Sequence, residues 1–347
     1  MTSSGRTLCY STWNVNGLGC PIKRKKILGH LKTKKQDVVF LQETHCCSQE
    51  SVKLCRDWVG HISFSAGTSK SRGVAILINK GLQFRLRKEV KDEEGRIIII
   101  LAEIQGQTLI LANIYAPNVD HPNFFVDLES KLHDMGQYPI ILGGDFNIVL
   151  DQILDRSKPS LSRMPDSVLL VKRMCSSMGL TDVWRLNHPT DRDYSFYSGA
   201  HKVYSRIDFF LISSSLLPAT LSCLIDSILL TDHVMVRLQI TPYQETERSQ
   251  MWRFNSSLLQ DVGFKEDLRA QIRLYLETNV STAPSAIVAW EAMKAFLRGF
   301  IIQYSSHKKK VNTAKLTDLE KRIKNTEAKL KRNISESILK ELTHLKY

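Results

Sequence analysis

Six short polar stretches interrupt the apolar runs of this 347-residue chain: TWNVNG (12–17), LQET (41–44), NIYAPN (113–118), GGDFN (143–147), SRIDF (205–209) and TDH (231–233). Each sets an Asn, Asp, Glu, Tyr or His at or near one end of a run that reads as a strand. A carboxylate buried without a partner is costly, so convergence of several such groups on one pocket is the low-energy arrangement. In GGDFN, an extended chain points Asp145 and Asn147 to one face and Phe146 to the other. A carboxylate acceptor beside an amide donor can hold a water and a phosphate oxygen together. Gly143 and Gly144 then read as clearance for a phosphate backbone; the alternative is an Asx-turn ending a strand.

The other stretches supply complementary chemistry. Glu43, with an amide oxygen such as that of Asn14 nearby, suits Mg²⁺, a hard cation that takes oxygen ligands; alone, it would be a surface residue or a helix cap. Tyr115 can donate its hydroxyl to a phosphate or simply pack between layers. Asp208 lies in a segment apolar on both faces, SRIDFFLI, and needs a donor. Asp232 and His233 sit at the mouth of a strand whose core face is Val234, Val236, Leu238 and Ile240. A buried Asp holding the His233 ring would fix its tautomer and raise its pKa, preparing it for work on a phosphate or a water.

These groups need a framework. Continuous apolar runs predict strands at 7–14, 37–42, 73–79, 96–104, 107–114, 139–145, 193–198, 205–213 and 233–241, buried on both faces. Helices are expected at 22–34, 48–58, 122–136 and 166–178. The hairpin-like pair 96–104 and 107–114 excludes a purely parallel sheet, and the alternation gives an α/β sandwich of mixed sheets flanked by helices. The expected division is a first domain over 1–242, a linker over 243–251 and a basic helical extension over 252–347. Leu268, Ile272, Tyr275 and Leu276 recur at helical spacing. After HKKKV, Leu316, Leu319, Ile323, Leu330, Ile334 and Ile338 suggest a helical hairpin or coiled-coil arm.

Net charge is +13 and the pI about 9.4, which admits a polyanion as partner. Residues 301–347 carry 12 Lys/Arg against 5 Asp/Glu, fitting either a nucleic-acid-facing arm or a solvated helix face. Seven cysteines at no metal-ligand spacing, no signal region and no apolar run of about 18 residues point to an intracellular, reduced protein rather than a secreted or membrane one. Nucleotide-driven, dinucleotide, zincin and serine-hydrolase chemistries lack their local motifs.

Taken in order, the six stretches resemble the endonuclease/exonuclease/phosphatase superfamily of apurinic/apyrimidinic (AP) endonucleases, exonuclease III and DNase I. The strongest resemblance is to the endonuclease domain of LINE-type non-LTR retrotransposons, supported by LDR at 154–156 and WRFN at 252–255. The resemblance implies a four-layer α/β sandwich and Mg²⁺-dependent hydrolysis of a DNA phosphodiester, with Mn²⁺ as the alternative metal. It implies Glu43, Asn14 and Asp232 at the metal, and Asp145, Asn147, Tyr115, Asp208 and His233 as the catalytic set. Either Asp145 or His233 would be the base. Asn118, Arg156, Ser195, Arg206 and Thr231 would touch DNA, reading shape more than bases.

It further implies nicking of double-stranded DNA to leave a 3′-hydroxyl for a reverse transcriptase, whose Tyr-x-Asp-Asp motif is missing here. Element RNA is an expected partner of the basic helices, no membrane is expected, and the expected location is the nucleus, with the cytoplasm as alternative. The rival readings are an AP-site repair endonuclease, a phosphoesterase of the same fold, and a non-catalytic nucleic-acid-binding protein.

Overall fold

The computed structural model describes residues 6–55, 57–159, 163–226, 230–241, 252, 254–332, 337 and 341. It divides into two compact units, Met1–Ser257 and Leu258–Tyr347. Along the first unit run β1 (Leu8–Asn14), α1 (Pro21–Thr33), β2 (Val38–Gln42), α2 (Ser48–Ser51), β3 (Val59–Ser65), β4 (Val74–Asn79), β5 (Phe84–Lys91), β6 (Ile97–Ile104), β7 (Gln107–Tyr115), α3 (Pro122–Asp134) and β8 (Ile140–Asp145). There follow α4 (Asp166–Met178), β9 (Leu180–Asp182), α5 (Val183–Asn187), β10 (Phe196–Ser198), β11 (Val203–Ser205), β12 (Asp208–Ser213), β13 (Thr220–Ile225) and β14 (Val236–Ile240).

The strands form two six-stranded mixed sheets, ordered β13-β14-β1-β2-β4-β3 and β5-β6-β7-β8-β12-β9, plus a small β10–β11 pair. Period-two alternation divides the apolar side chains between faces. Phe40, Ile76, Ile98, Ile100, Phe210 and Leu238 fill the core between the sheets. Val39, Leu41, Ala75 and Leu77 face outward onto Ile27, Leu28 and Leu31 of α1. Ile97, Ile99, Ile110 and Ala112 face outward onto Leu128 and Leu132 of α3 and Val168, Val171 and Met174 of α4. The result is the expected four-layer α/β sandwich.

Register brings the polar strand ends together. Parallel pairing sets Tyr115 beside Asp145, and antiparallel pairing sets Asp145 beside Asp208, so three site residues stand in one row across β7, β8 and β12. In the facing sheet Asn14 pairs with Gln42, one residue before Glu43. A buried suture ties the sheets near this end. Gln42 Nε2 donates to Thr12 Oγ1 (2.9 Å) and Asn113 Oδ1 (2.6 Å), and Asn113 Nδ2 lies 2.8 Å from the Leu41 carbonyl and 2.9 Å from that of Ala75.

Strands β3, β5, β9, β11 and β13 and helix α5 escape the sequence reading. In β5, FRLRKEVK, five of eight positions of an exposed edge strand are charged, leaving no apolar run to detect. The helix expected over 48–58 is one turn, α2, followed by a 3₁₀ turn at Val52–Leu54, and β3 begins at Val59. In the second unit, α6 (Val262–Asn279) lies against α7 (Ala286–Arg332), which runs unbroken through HKKKV. The segment expected as a linker lies outside the described residues, as do the side chains of Leu316, Leu319, Ile323 and Leu330 and residues Ile334 and Ile338.

Gly143 and Gly144 do not clear space for a phosphate. A Cβ on Gly143 would stand 2.6 Å from Phe210 and 2.8 Å from Phe40, and one on Gly144 (φ +152°) would stand 2.1 Å from the Ile114 carbonyl oxygen. Both glycines therefore serve the packing of β8 against its neighbours. Gly144→Ala should destabilise the protein by about 1–3 kcal/mol, the ordinary cost of overpacking, in urea denaturation. Unchanged stability with lost activity would restore the clearance role.

Candidate active site

The site lies where the ends of β1 and β2 face the ends of β7, β8 and β12. Asn14 is its spacer. Its Nδ2 donates to Glu43 Oε1 (2.8 Å) and to Asp145 Oδ2 (2.9 Å), while its Oδ1 accepts from Asn16 N (3.0 Å). Burial, the charge and side chain of Glu43, and the Asp145 charge all raise the Tyr115 pKa, so the phenol stays protonated and acts as a donor.

His233 and Asp208 form the second half. His233 Nδ1 lies 2.8 Å from Asp208 Oδ2, and its Nε2 lies 3.9 Å from Asp145 Oδ2. Burial alone would lower the His233 pKa, but the charge and hydrogen bond of Asp208, with Asp145 and Asp232 behind them, lift it to about 9. Asp145 is raised well above the carboxylate range, first by burial and then by the charge of Asp208. His233, the Asn14 amide and the Asn147 backbone N–H oppose that rise. The Phe196 ring packs on His233 at 4.5 Å and covers it.

At GGDFN both sequence readings hold in part. Phe146 stacks on Phe209 at 4.0 Å in the outer core, as alternation requires. Asn147, however, leaves the strand in left-handed backbone (φ +50°), and its N–H donates to Asp145 Oδ1 (2.9 Å), which is an Asx-turn. Its side-chain amide donates to the Ala116 carbonyl (2.8 Å). The turn thus builds the site by holding one oxygen of Asp145.

The donor set suits a divalent cation. Glu43, Asp145 and Asp208 converge on one end of the sandwich, and Oδ1 of Asp208 is buried with no hydrogen-bond partner. One ligand atom from each of Asp145, Asp208 and His233 lies within 4.8 Å of the others. Of the expected metal set, Glu43 offers a carboxylate that is largely buried but reaches solvent. Asn14 turns hydrogens rather than its oxygen toward the carboxylates, so it spaces ligands instead of joining them. Asp232 is exposed and accepts from Asn16 Nδ2 (3.3 Å).

The expected DNA contacts separate into outward and inward groups. Asn118 is exposed and Arg156 partly so. Ser195 is fully buried: its Oγ donates to Asp208 Oδ2 (2.7 Å) and accepts from the N–H groups of Ile207 and Asp208 (3.0 and 2.9 Å). Thr231 Oγ1 lies 3.1 Å from the Asn14 carbonyl and accepts from Trp13 Nε1 (3.2 Å), joining β1 to the His233 strand. Arg206 is buried, with Nε and Nη2 on the two oxygens of Asp155 (2.8 and 2.9 Å) and Nη2 also on Asp182 (2.8 Å). Within LDR, then, Asp155 is the hub that fixes the entry to β12, two residues before Asp208. The sequence reading passed over Asn16, His45, Gln42, Asn113 and Asp155, although each stands inside or beside a quoted stretch.

Arg206→Ala would leave Asp155 and Asp182 short of their buried cation. It should cost about 3–5 kcal/mol in urea denaturation, the usual penalty for breaking a buried pair. A direct phosphate contact would instead leave stability unchanged and reduce the salt slope of DNA binding by about 1.

Residues 11–233 match the Endonuclease/Exonuclease/phosphatase family. The chain is 31% identical over 267 residues to the Transposon TX1 uncharacterized 149 kDa protein of Xenopus laevis, covering 76% of this chain and 20% of that protein. It is 28% identical to the DNA repair nuclease APEX1 of Danio rerio, over 60% of this chain and 74% of that one. The AP endonuclease LMAP of Leishmania major shares the fold, with a TM-score of 0.58 at 18% identity over 69% of this chain and 89% of that one. With its site geometry and the match across most of the first unit, the chain belongs to the Endonuclease/Exonuclease/phosphatase family.

Proposed function

We propose that this chain is a Mg²⁺-dependent DNA endonuclease that nicks double-stranded target DNA and leaves a 3′-hydroxyl, as in LINE-type retrotransposition. The observation that carries the reading is the Asp208–His233 pair set beside Asp145, with Glu43 joined to Asp145 through Asn14. Likeness to a transposon protein over three quarters of the chain favours mobile-element DNA as the setting. The basic second unit is the surface for element RNA, and the nucleus, where target DNA lies, is the place of work.

Glu43 would hold the cation, which when bound neutralises charge on the phosphate oxygens. The remaining work falls to fixed side chains, since phosphoryl transfer is catalysed mainly by positioning and charge stabilisation. His233, whose pKa the charge of Asp208 raises, supports charge building on the phosphate. Asp145 aims the attacking water and accepts its proton. Asn147 is held beside it, and Tyr115 donates from the next strand of the same row.

Supercoiled plasmid with Mg²⁺ should be nicked by the wild type, and Asp145→Ala and His233→Ala should each lose about 10²–10⁴-fold. Equal nicking by all three would falsify the site. An abasic duplex cut in strong preference to an intact one would give the function to repair, and phosphate release without nicking would make the enzyme a phosphoesterase. The pH profile follows from the raised His233 pKa: the imidazolium is present below about 9 and lost above it. Nicking should therefore fall as pH rises through about 9, and Asp208→Asn should move that fall to lower pH.

A further inference from the structure

Between β2 and α2 the chain makes a turn that local preference opposes. Glu43 and His45 both adopt left-handed backbone, each with φ +50°, a conformation that costs energy for residues carrying a Cβ. Thr44 between them is buried. Four backbone hydrogen bonds impose the shape. Gly17 N and Leu18 N donate to the carbonyls of Glu43 (2.7 Å) and Thr44 (2.8 Å), and Thr44 N and His45 N donate to those of Gly73 (3.0 Å) and Arg72 (2.9 Å).

The neighbours are cut back to fit this turn. A Cβ on Gly17 would stand 2.9 Å from His45 Nδ1, and one on Gly73 would stand 2.4 Å from Thr44 Oγ1. The outcome is that the His45 ring folds back on the residue two before it, with Nε2 3.1 Å from Glu43 Oε2. Asn14 already occupies Oε1 of the same carboxylate at 2.8 Å. Glu43 is thereby gripped on both oxygens, from β1 on one side and from its own turn on the other. A proton on His45 Nε2 makes the ring the donor.

We propose that His45 is a positioning residue that fixes the Glu43 carboxylate for a divalent cation. The proposal rests on the metal-dependent reading above and extends it to a residue with no part in the proton transfers. Hydrogen-bond partners that orient a metal ligand commonly change metal affinity 10–100-fold when removed. The strained turn is the structural cost of keeping that partner in place.

The test is thermal unfolding of the full chain during titration with Mn²⁺ alone, read as the metal concentration at half of the stabilisation. His45→Ala should shift this midpoint upward by about tenfold or more. His45→Gln, whose amide can donate to the same oxygen, should recover most of the loss. Glu43→Ala should remove the metal-induced rise altogether. A His45→Ala protein that melts lower without metal yet keeps the wild-type Mn²⁺ midpoint overturns the positioning role while leaving the metal reading intact. A wild type that gains no stability from Mn²⁺ overturns both.

Discussion

The hydrogen bond from Asn14 to Asp145 crosses from one sheet of the sandwich to the other, and the remaining site geometry hangs on it. Three carboxylates are drawn to one end of the sandwich, two of them fully buried. Mutual repulsion and lost hydration would drive such groups apart or protonate them. Asn14 answers by giving both amide hydrogens to Glu43 and Asp145, and His233 answers for Asp208. A β1 displaced by one residue would swap Asn14 to the opposite face and leave Asp145 without that donor.

The supporting structure can be understood as a means of preventing such displacement. Gln42 and Asn113 stitch the sheets through hydrogen bonds donated by their buried amide nitrogens. Asp155 and Arg206 fix the approach to β12, and Ser195 gathers the first backbone amides of that strand while donating to Asp208. Gly143 and Gly144 let the strand carrying Asp145 sit close to Phe40, Phe210 and Ile114. None of these groups performs chemistry. Each removes a freedom that the reacting groups would otherwise have, which is the form catalysis takes when positioning and charge do most of the work.

Continuous apolar runs made β1, β2, β4, β6, β7 and β8 legible, because burial on both faces leaves a compositional mark. Edge strands such as β5 carry the opposite mark and were invisible for the same reason. Polar residues at strand ends located Asn14, Glu43, Tyr115, Asp145, Asp208 and His233, since a charge within an apolar segment demands an explanation. The sequence could not show direction. Ser195 and Arg206 are polar residues near the right edge, yet they turn inward, and only register and packing reveal it. Gly143 and Gly144 show the same limit, for a glycine signals close approach without naming what approaches. His45 was hidden because its position depends on two left-handed residues that no pattern of types announces.

The central claim is that the carboxylates gathered at the sheet ends form a cation site for DNA hydrolysis. Anomalous diffraction from crystals soaked in Mn²⁺ tests it most directly. The account predicts a strong peak in contact with the Glu43 carboxylate at the end of the sandwich, lost in Glu43→Ala crystals. A protein saturated with Mn²⁺ that shows no peak beside Glu43, Asp145 or Asp208 would contradict it.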